Sequence, residues 1–218
     1  MITQAVQDYL KVIYILSNDE KTVTTNAIAD RLKVSQASVT GMLKKLSDLK
    51  LICHEPYYGV ELTDAGRKIA LEIVRHHRLL ELYLAEALGF SWDHVHEEAE
   101  KLEHHISEEF EDKMAEFLGD PSFDPHGAPI PAKDGSIPER NLVPLSCAQA
   151  GQKVKIKQVS DGDAEMLRYL GTIGIFPEIE LDVINKAPFG GPLHVKIGDK
   201  EHHLGEILTE QIMIAISA

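Results

Sequence analysis

The chain has 218 residues, enough for one large domain or for two to three small ones. Its hydrophobic content of 44% excludes a generally disordered chain, and no apolar run approaches the ~18 residues of a membrane span. Asp8 and Lys11 interrupt the apolar region that a signal peptide would need, so we expect a cytoplasmic protein. The cysteines, Cys53 and Cys147, lie far apart and predict free thiols that are buried or half-buried.

The negative charge is unevenly distributed along the chain. The net charge is −13, yet residues 1–73 carry nine Lys or Arg and nine Asp or Glu and are neutral. From Glu81 to Asp124 there are fourteen acidic residues and only two basic ones. The first part is therefore compatible with DNA binding through one basic face, whereas the acidic middle would repel phosphate unless bound cations neutralised part of it.

Three helices are predicted at the start of the chain. Apolar residues recur at helical spacing over residues 3–16, with Asp8 among them, where an acidic side chain in a first turn favours the helix dipole. Thr24 or Thr25 caps a short second helix, and Ser35 caps a third. Two short helices joined by a tight turn indicate a helix-turn-helix.

The third helix has the composition of a recognition helix. Small residues at its start suit close approach to a DNA groove, and lysines further along suit phosphate contacts. The candidates are Ser35, Gln36, Ala37, Ser38, Thr40, Lys44 and Lys45. Strand-like runs at 51–54 and 60–62, with a turn between them, then predict a hairpin wing, and residues 63–66 cap the next helix. This order of elements predicts a winged-helix domain.

The next helix is predicted over residues 63–88. Its second half is apolar on more than one face, so we expect it to pack both on the following helix and on another subunit. His77 and Glu81 lie four residues apart on it, and by themselves they would form an exposed pair.

Residues 94–105 are predicted to form one further helix, crowded with carboxylates and imidazoles. Glu100, Glu103 and His104 then project from one face, with His96 a turn earlier. Such a face is costly to bury without a partner, because like charges converge on it. A divalent cation is the natural partner, and a solvated acidic helix face is the alternative.

Beyond this helix the pattern changes twice. Residues 119–144 are rich in Pro and Gly and predict a linker that contains Asp124 and His126, either of which could be an ordinary turn residue. From residue 151 onward, five short strand-like runs separated by Gly, with one short helix at 164–170, predict a small barrel of the SH3 type. Asp161, Asp163 and Glu165 cluster at the start of that helix.

The order of these parts and six segments resemble a known family. The segments are VQDYLKVIY, VSQASVTGMLKKL, ELTDAGR, RHHRLLELYL, VHEEAEKLEH and PHGAPIP. With them, the chain resembles over its whole length the diphtheria-toxin-repressor and manganese-transport-regulator family of bacterial metal-dependent repressors. The resemblance implies an α+β chain with three parts: an N-terminal winged helix-turn-helix domain at 1–73, an all-α metal-binding and dimerisation domain at 74–145 with its Pro-rich linker at 119–145, and an SH3-like (iron-transport-protein-A-like) β-barrel at 146–218.

The resemblance also implies two metal sites. The activating site corresponds to Asp8, Glu100, Glu103 and His104. The second site corresponds to His77, Glu81, Asp124, His126 and Asp161, with His96 and Asp163 as lesser candidates. The register of the loop before the short helix leaves the choice between Asp161, Asp163 and Glu165 open.

Departures from relatives bear on the metal and on the operator. Iron-responsive members have Met and Cys at the positions of Asp8 and Glu100, so two hard carboxylates favour Mn(II), with Fe(II) possible and with Zn(II), Co(II) or Cd(II) able to substitute in vitro. Short manganese-type relatives have Glu at the position of Lys11, and a lysine there disfavours a close binuclear site. Gly41 replaces a base-reading Gln, so the operator should differ.

The implied function is a metal-dependent, most simply Mn(II)-responsive, repressor of metal-homeostasis genes. It binds double-stranded operator DNA as a homodimer and uses neither a membrane nor a small organic substrate. The alternatives are an Fe(II)-responsive repressor and a metal-independent winged-helix regulator. An enzyme is disfavoured, because the chain lacks Glu-x-x-His pairs on two helices, HExxH, a Walker loop and G-x-S-x-G.

Overall fold

The computed structural model describes residues 2–19, 22–55 and 59–215. These residues belong to two compact units. The first comprises residues 1–77, 102–107 and 131–136, and the second comprises 78–101, 108–130 and 137–218. Among the described residues, no helix is long and apolar enough to cross a membrane.

The first unit contains the predicted winged helix. Its elements are α1 (Gln4–Asp19), α2 (Thr25–Leu32), α3 (Gln36–Asp48), the strands β1 (Ile52–Glu55) and β2 (Gly59–Leu62), and the start of α4 (Asp64–Glu86). The Thr24 hydroxyl caps α2 by accepting from the N–H of Ala27, and Ser35 caps α3 in the same way. The two strands form an antiparallel hairpin, the predicted wing. Its turn, residues 56–58, lies outside the described residues.

Helix α3 separates an apolar from a polar face. Val39, Leu43 and Leu46 are buried in the first unit, which fixes the orientation of the helix. The seven candidate DNA-contact residues, from Ser35 to Lys45, are all exposed. The helix therefore presents its small polar residues and its lysines together on the surface, as a recognition helix requires.

Gly41 offers a test of this helix. It lies on the exposed side of α3, where an added Cβ would meet no atom within 4 Å. Because glycine loses more backbone freedom than alanine in a helix, Gly41→Ala should raise the free energy of unfolding by about 0.5–1 kcal/mol in urea titrations. The matched control is Gly89→Ala, also in open space but at a φ of +72°, which should destabilise instead. A lower stability for Gly41→Ala would contradict this account of α3.

The helix predicted over 94–105 is wrong in its extent. Helix α5 spans Val95–Leu102, so Glu103 and His104 lie beyond its end. The carbonyl of Leu102 accepts from the N–H of His105 at 2.9 Å, which closes a tight turn in place of another helical bond. The reason is tertiary, since the Glu103 side chain is fully buried among groups of α1 and α4 rather than on a helix face.

A short helix, α6 (Glu108–Phe117), was not predicted from the sequence. It belongs to the second unit together with the second half of α4. The rings of Phe110 and Phe117 pack edge-on against Tyr83 of α4, with centroids 6.3 and 5.7 Å away. Three acidic residues in its first turn favour the positive end of the helix dipole.

The C-terminal part of the second unit is one antiparallel sheet. Its strands are β3 (Val143–Pro144), β4 (Lys153–Val159), β5 (Glu180–Lys186), β6 (Leu193–Ile197), β7 (Lys200–Leu204) and β8 (Ile212–Ala215), in the order β3-β8-β4-β5-β6-β7. Two helices accompany it, α7 (Ala164–Thr172) and α8 (Glu206–Thr209). The five predicted strands and the helix at 164 are confirmed, whereas β3 and α8 were missed.

The sheet is SH3-like but open. Leu167 and Leu170 of α7 are fully buried with the inward side chains of the strands, so the helix and the sheet share one core. Within the described part of the chain no pairing joins β3 to β7, so the expected closed barrel is not formed. Cys53 and Cys147 are free thiols as expected, but both are exposed rather than buried or half-buried.

Candidate metal centre

In the first unit, Asp8, Glu103 and His104 converge, and we call them the first cluster. One ligand atom of each lies within 4.8 Å of the others. The His104 Nε2 atom is 2.6 Å from Asp8 Oδ1 and 3.3 Å from Glu103 Oε1. Asp8 comes from α1, while Glu103 and His104 come from the turn after α5, so the cluster joins two separate segments of the chain.

The tautomer of His104 fits a cation in this cluster. Its Nδ1–H donates to Gln7 Oε1 at 3.0 Å, which leaves a lone pair on Nε2. That atom is buried and makes no hydrogen bond within the described part of the chain, although two carboxylates adjoin it. A lone pair facing carboxylates is repulsive unless a cation lies between them. The residues present therefore suit a divalent metal.

Lys11 lies on the other side of Glu103. Its Nζ atom donates to both carboxylate oxygens, at 2.7 and 2.9 Å, and lies 3.1 Å from His77 Nδ1. Lys11 is buried, and Glu103 is fully so. A positive charge built into the protein thus occupies this side of the carboxylate, which agrees with the expectation that Lys11 disfavours a close pair of metals here.

Two residues implied by the resemblance belong to a different unit from their expected partners. Glu100 lies in the second unit, where its Oε1 atom is 3.8 Å from His96 Nε2. His77 lies in the first unit, where its Nδ1 atom is 2.6 Å from Glu103 Oε2. The assignment of Glu100 to the activating site and of His77 to the second site stays a prediction.

In the second unit, five side chains form what we call the second cluster. They are Glu81, His96, Asp124, His126 and Asp161. They fall into two groups with ligand atoms within 4.8 Å of one another, and Glu81 belongs to both. His96 Nδ1 lies 3.1 Å from Glu81 Oε1 and 3.6 Å from Asp161 Oδ2. His126 Nδ1 lies 3.6 Å from Glu81 Oε2.

Trp92 fixes the orientation of His126. The imidazole stacks on the indole ring at 5.7 Å between centroids, and its Nε2–H donates to the Trp92 carbonyl oxygen at 2.7 Å. The remaining lone pair is on Nδ1, which points toward Glu81. This Nδ1 is buried and has no hydrogen-bond partner among the residues that the structure describes. It has the arrangement of a metal ligand whose other ring nitrogen is held by a carbonyl.

Asp124 is held by the backbone of its own turn. Its Oδ1 atom accepts from the N–H groups of His126 and Ala128 at 2.8 and 2.9 Å. Its Oδ2 atom is buried without a hydrogen bond among the described residues, and Arg78 Nε lies 3.7 Å away. The turn is tight, since a Cβ on Gly127, whose φ is +84°, would lie 2.1 Å from the Lys157 carbonyl oxygen. The Pro-rich segment is therefore an ordered carrier of two ligands.

The charges of the second cluster shift one another. Burial and the Glu81 charge raise the pKa of Asp124 to about 7. Burial alone would lower the pKa of His126, but Glu81 raises it to about 9. Burial would likewise lower the pKa of His96, but Asp161 and Glu81 raise it to about 10. Burial would raise the pKa of Asp161, yet the hydrogen bond from His96 lowers it to about 2. Without a cation the imidazoles favour their protonated forms, which marks a site with excess negative charge.

The structure discriminates between the three acidic residues near α7. Asp163 caps α7, because its Oδ1 atom accepts from the N–H groups of Glu165 and Met166. Asp161 lies in the second cluster, and His96 lies closer to it than a lesser candidate would. Sequence reasoning did not identify Gln7, Arg78 and Trp92 as partners of the ligands, because only tertiary packing brings them together.

Three family models match the chain. Residues 1–60 match the iron dependent repressor N-terminal DNA binding domain, 63–132 match the iron dependent repressor metal binding and dimerisation domain, and 143–216 match the FeoA domain. Members of this family are DNA-binding transcriptional repressors rather than enzymes.

Curated relatives include repressors named for two metals. The iron-dependent repressor IdeR of Mycobacterium tuberculosis (strain ATCC 25618 / H37Rv) is 31% identical over 195 residues, which cover 84% of each chain. The HTH-type transcriptional regulator MntR of Geobacillus kaustophilus is 35% identical over 118 residues, which cover 54% of this chain and 83% of the relative.

Solved structures extend the similarity over nearly the whole chain. A manganese-dependent transcriptional repressor in complex with manganese has a TM-score of 0.90 at 38% identity, covering 96% of this chain and 98% of that one. The manganese regulator SloR has a TM-score of 0.81 at 30% identity, covering 97% and 98%. On this evidence the chain belongs to the iron-dependent repressor family of metal-dependent transcriptional repressors.

Proposed function

We propose that the protein is a manganese-responsive repressor that binds operator DNA as a homodimer when its first cluster holds Mn(II). The observation that carries the proposal is the buried Nε2 lone pair of His104, which faces Asp8 and Glu103 without a hydrogen bond among the described residues. The family resemblance adds Glu100 as a further ligand. The three-part division at residues 73 and 145 belongs to the same proposal.

The chemistry of the donors supports manganese. Both clusters offer carboxylate oxygens and imidazole nitrogens and contain no sulfur. Hard oxygen donors suit Mn(II), whereas thiolate and thioether donors suit softer metals. The similarity to structures titled as manganese-dependent repressors agrees with this choice, while the identity to IdeR keeps Fe(II) as the second candidate.

The first cluster is placed to couple metal binding to DNA binding. Asp8 lies on α1 of the winged helix, and Glu103 and His104 lie in the turn after α5. Without a cation the carboxylates of Asp8 and Glu103 repel each other across His104. A bound metal neutralises them and joins the two segments. By linkage, whatever ordering of the winged helix the metal brings raises the affinity for metal and for DNA equally.

The homodimer positions two recognition helices. The exposed residues of α3, from Ser35 to Lys45, would enter the major groove at each half-site. Two-fold symmetry then requires half-sites separated by about 34–36 Å or a multiple of it. The second cluster, with His77 implied by the resemblance, would bind further Mn(II) and hold the turn at Asp124 in place.

The decisive experiment is operator binding by fluorescence anisotropy at one fixed ionic strength. The DNA is the region upstream of the protein's own gene, with a shuffled duplex as the control, because phosphate contacts alone bind any sequence. Apo protein is compared with protein in Mn(II), anaerobic Fe(II), Zn(II) and Co(II). Tight binding with Mn(II) and not with apo protein is the expected result. Equal binding with and without every metal would leave a metal-independent regulator, and a preference for Fe(II) would replace manganese by iron.

A further inference from the structure

We propose that the second cluster binds two divalent cations bridged by the carboxylate of Glu81. The proposal rests on the proposed function in one respect, since it takes the cluster to be a metal site. It adds a stoichiometry and a division of labour among the ligands, which neither the sequence nor the relatives supply.

The two oxygens of Glu81 serve two different imidazoles. Oε1 lies 3.1 Å from His96 Nδ1, and Oε2 lies 3.6 Å from His126 Nδ1. Glu81 is fully buried on α4, so its carboxylate is fixed between the two rings. A bridging carboxylate in a two-metal site has this arrangement, with one oxygen for each ion and the ions about 3.5–4 Å apart.

Each half of the cluster has the same composition. One half has Oε1 of Glu81, the imidazole of His96 and the carboxylate of Asp161. The other half has Oε2 of Glu81, the imidazole of His126 and the carboxylate of Asp124. In each half the ligand atoms lie within 4.8 Å of one another, and the two imidazoles fall in different halves. One ion serving both imidazoles would not use this division.

The half at His126 also contains buried donors with no other use. His126 Nδ1 and Asp124 Oδ2 are both buried without a hydrogen bond in the part of the chain that the structure describes. Arg78 adjoins Asp124 at 3.7 Å, too far for a hydrogen bond, and donates to the Pro129 carbonyl oxygen instead. Leaving two such groups without partners is costly, and a cation between them removes that cost.

The half at His96 differs in its accessibility. The side chains of His96 and Asp161 are 25% and 30% exposed, whereas those of His126 and Asp124 are fully buried. The ion at His126 should therefore exchange slowly and act as a structural ion for the linker turn. The ion at His96 should exchange faster and follow the metal concentration. The two halves thus divide a structural from a responsive role.

Counting the bound Mn(II) tests this stoichiometry. The full chain is stripped with chelator, dialysed against MnCl2 and analysed for Mn(II) per protomer, and electron paramagnetic resonance is recorded on the same samples. We expect about three ions per protomer, one in the first cluster and two in the second, and an exchange-coupled signal from the bridged pair. A spectrum of isolated Mn(II) only, with about two ions per protomer, would overturn the proposal without any variant.

Variants assign the ions to the halves. His96→Gln should lose one ion and the coupled signal, and Glu81→Gln should lose both ions of the second cluster. The matched controls, His94→Gln and Glu86→Gln, replace exposed side chains of the same types and should keep the count and the coupling. Circular dichroism checks that each variant is folded. Retention of the full count by His96→Gln would disprove the division into halves.

Trp92 reports on the half at His126 alone. It is the single tryptophan of the chain and stacks on that imidazole, so Mn(II) bound there should quench its fluorescence. We expect the quenching to persist in His96→Gln and to disappear in Glu81→Gln. Operator binding is measured in parallel. Metal-independent operator binding would refute the proposed function while the ion count still decides the bridged pair, so the two failures are distinguishable.

Discussion

Replacing Asp8 by Met is expected to abolish manganese-dependent operator binding. Asp8 Oδ1 lies 2.6 Å from the buried Nε2 of His104, and it is the one contribution of α1 to the first cluster. A thioether at this position removes a hard oxygen ligand and the negative charge that a divalent cation neutralises. Mn(II) loses most, because it favours carboxylate and carbonyl oxygens, and softer metals lose less.

The size of this effect follows from the coupling between sites. A coupling free energy of about 1–3 kcal/mol corresponds to operator binding about 5–150-fold tighter with metal than without it. In Asp8→Met that ratio should fall to about one with Mn(II), as measured by anisotropy titrations of apo and loaded protein. The matched control is Asp30→Met, which replaces an exposed carboxylate of the same winged helix. An unchanged response of Asp8→Met to Mn(II) would show that the first cluster is not the activating site.

The sequence was most informative where local patterns determine the structure. Ser35 was predicted as a cap because its hydroxyl satisfies a free N–H at the start of α3, and the structure confirms it. The strands of the C-terminal sheet follow from runs of apolar residues between glycines. Such features depend on neighbours along the chain, which a sequence shows directly.

The sequence was less informative where distant groups decide. Spacing alone placed Glu103 and His104 on a helix face, but α5 ends at Leu102. Burial of Glu103 against Lys11 outweighs the small gain of continuing the helix by two residues. Local periodicity is therefore a weak guide at the end of a helix, where a few tertiary contacts exceed the propensity.

The candidate ligands show the same contrast. The types and approximate positions of Asp124 and His126 were visible in the linker, but their roles depend on Trp92 and Arg78. Trp92 selects the tautomer that leaves Nδ1 as the donor atom. No pattern in the sequence pairs a tryptophan with a histidine more than thirty residues away. The ligands could thus be proposed from the sequence, whereas the division of the second cluster required the structure.

Lys11→Met is expected to destabilise the metal-free protein strongly and to make its stability depend on Mn(II). The ammonium of Lys11 donates to both oxygens of Glu103, and both side chains are buried. Removing one partner of a buried ion pair leaves an uncompensated charge and costs about 3–5 kcal/mol. We expect the lower end of that range, because His77 Nδ1 also contacts Glu103, at 2.6 Å.

Mn(II) should restore much of the lost stability, since a cation in the first cluster neutralises the same carboxylate. At a metal concentration of about 100 times the dissociation constant, binding adds about 2.7 kcal/mol to the free energy of unfolding. Urea titrations with chelator and with MnCl2 measure this gain for the variant and for the unaltered chain. The gain should be larger in the variant, where Glu103 has lost its resident cation.

The matched control is Lys113→Met, which removes the same side chain from an exposed pair. Lys113 lies 2.7 Å from Glu116, with both side chains more than 70% exposed. Solvent screens such a pair, so this change should alter the free energy of unfolding by less than about 1 kcal/mol, with or without metal. If Lys11→Met behaved like this control, the Lys11–Glu103 pair would contribute little to stability. Mn(II) binding would then owe nothing to the charge that Lys11 supplies.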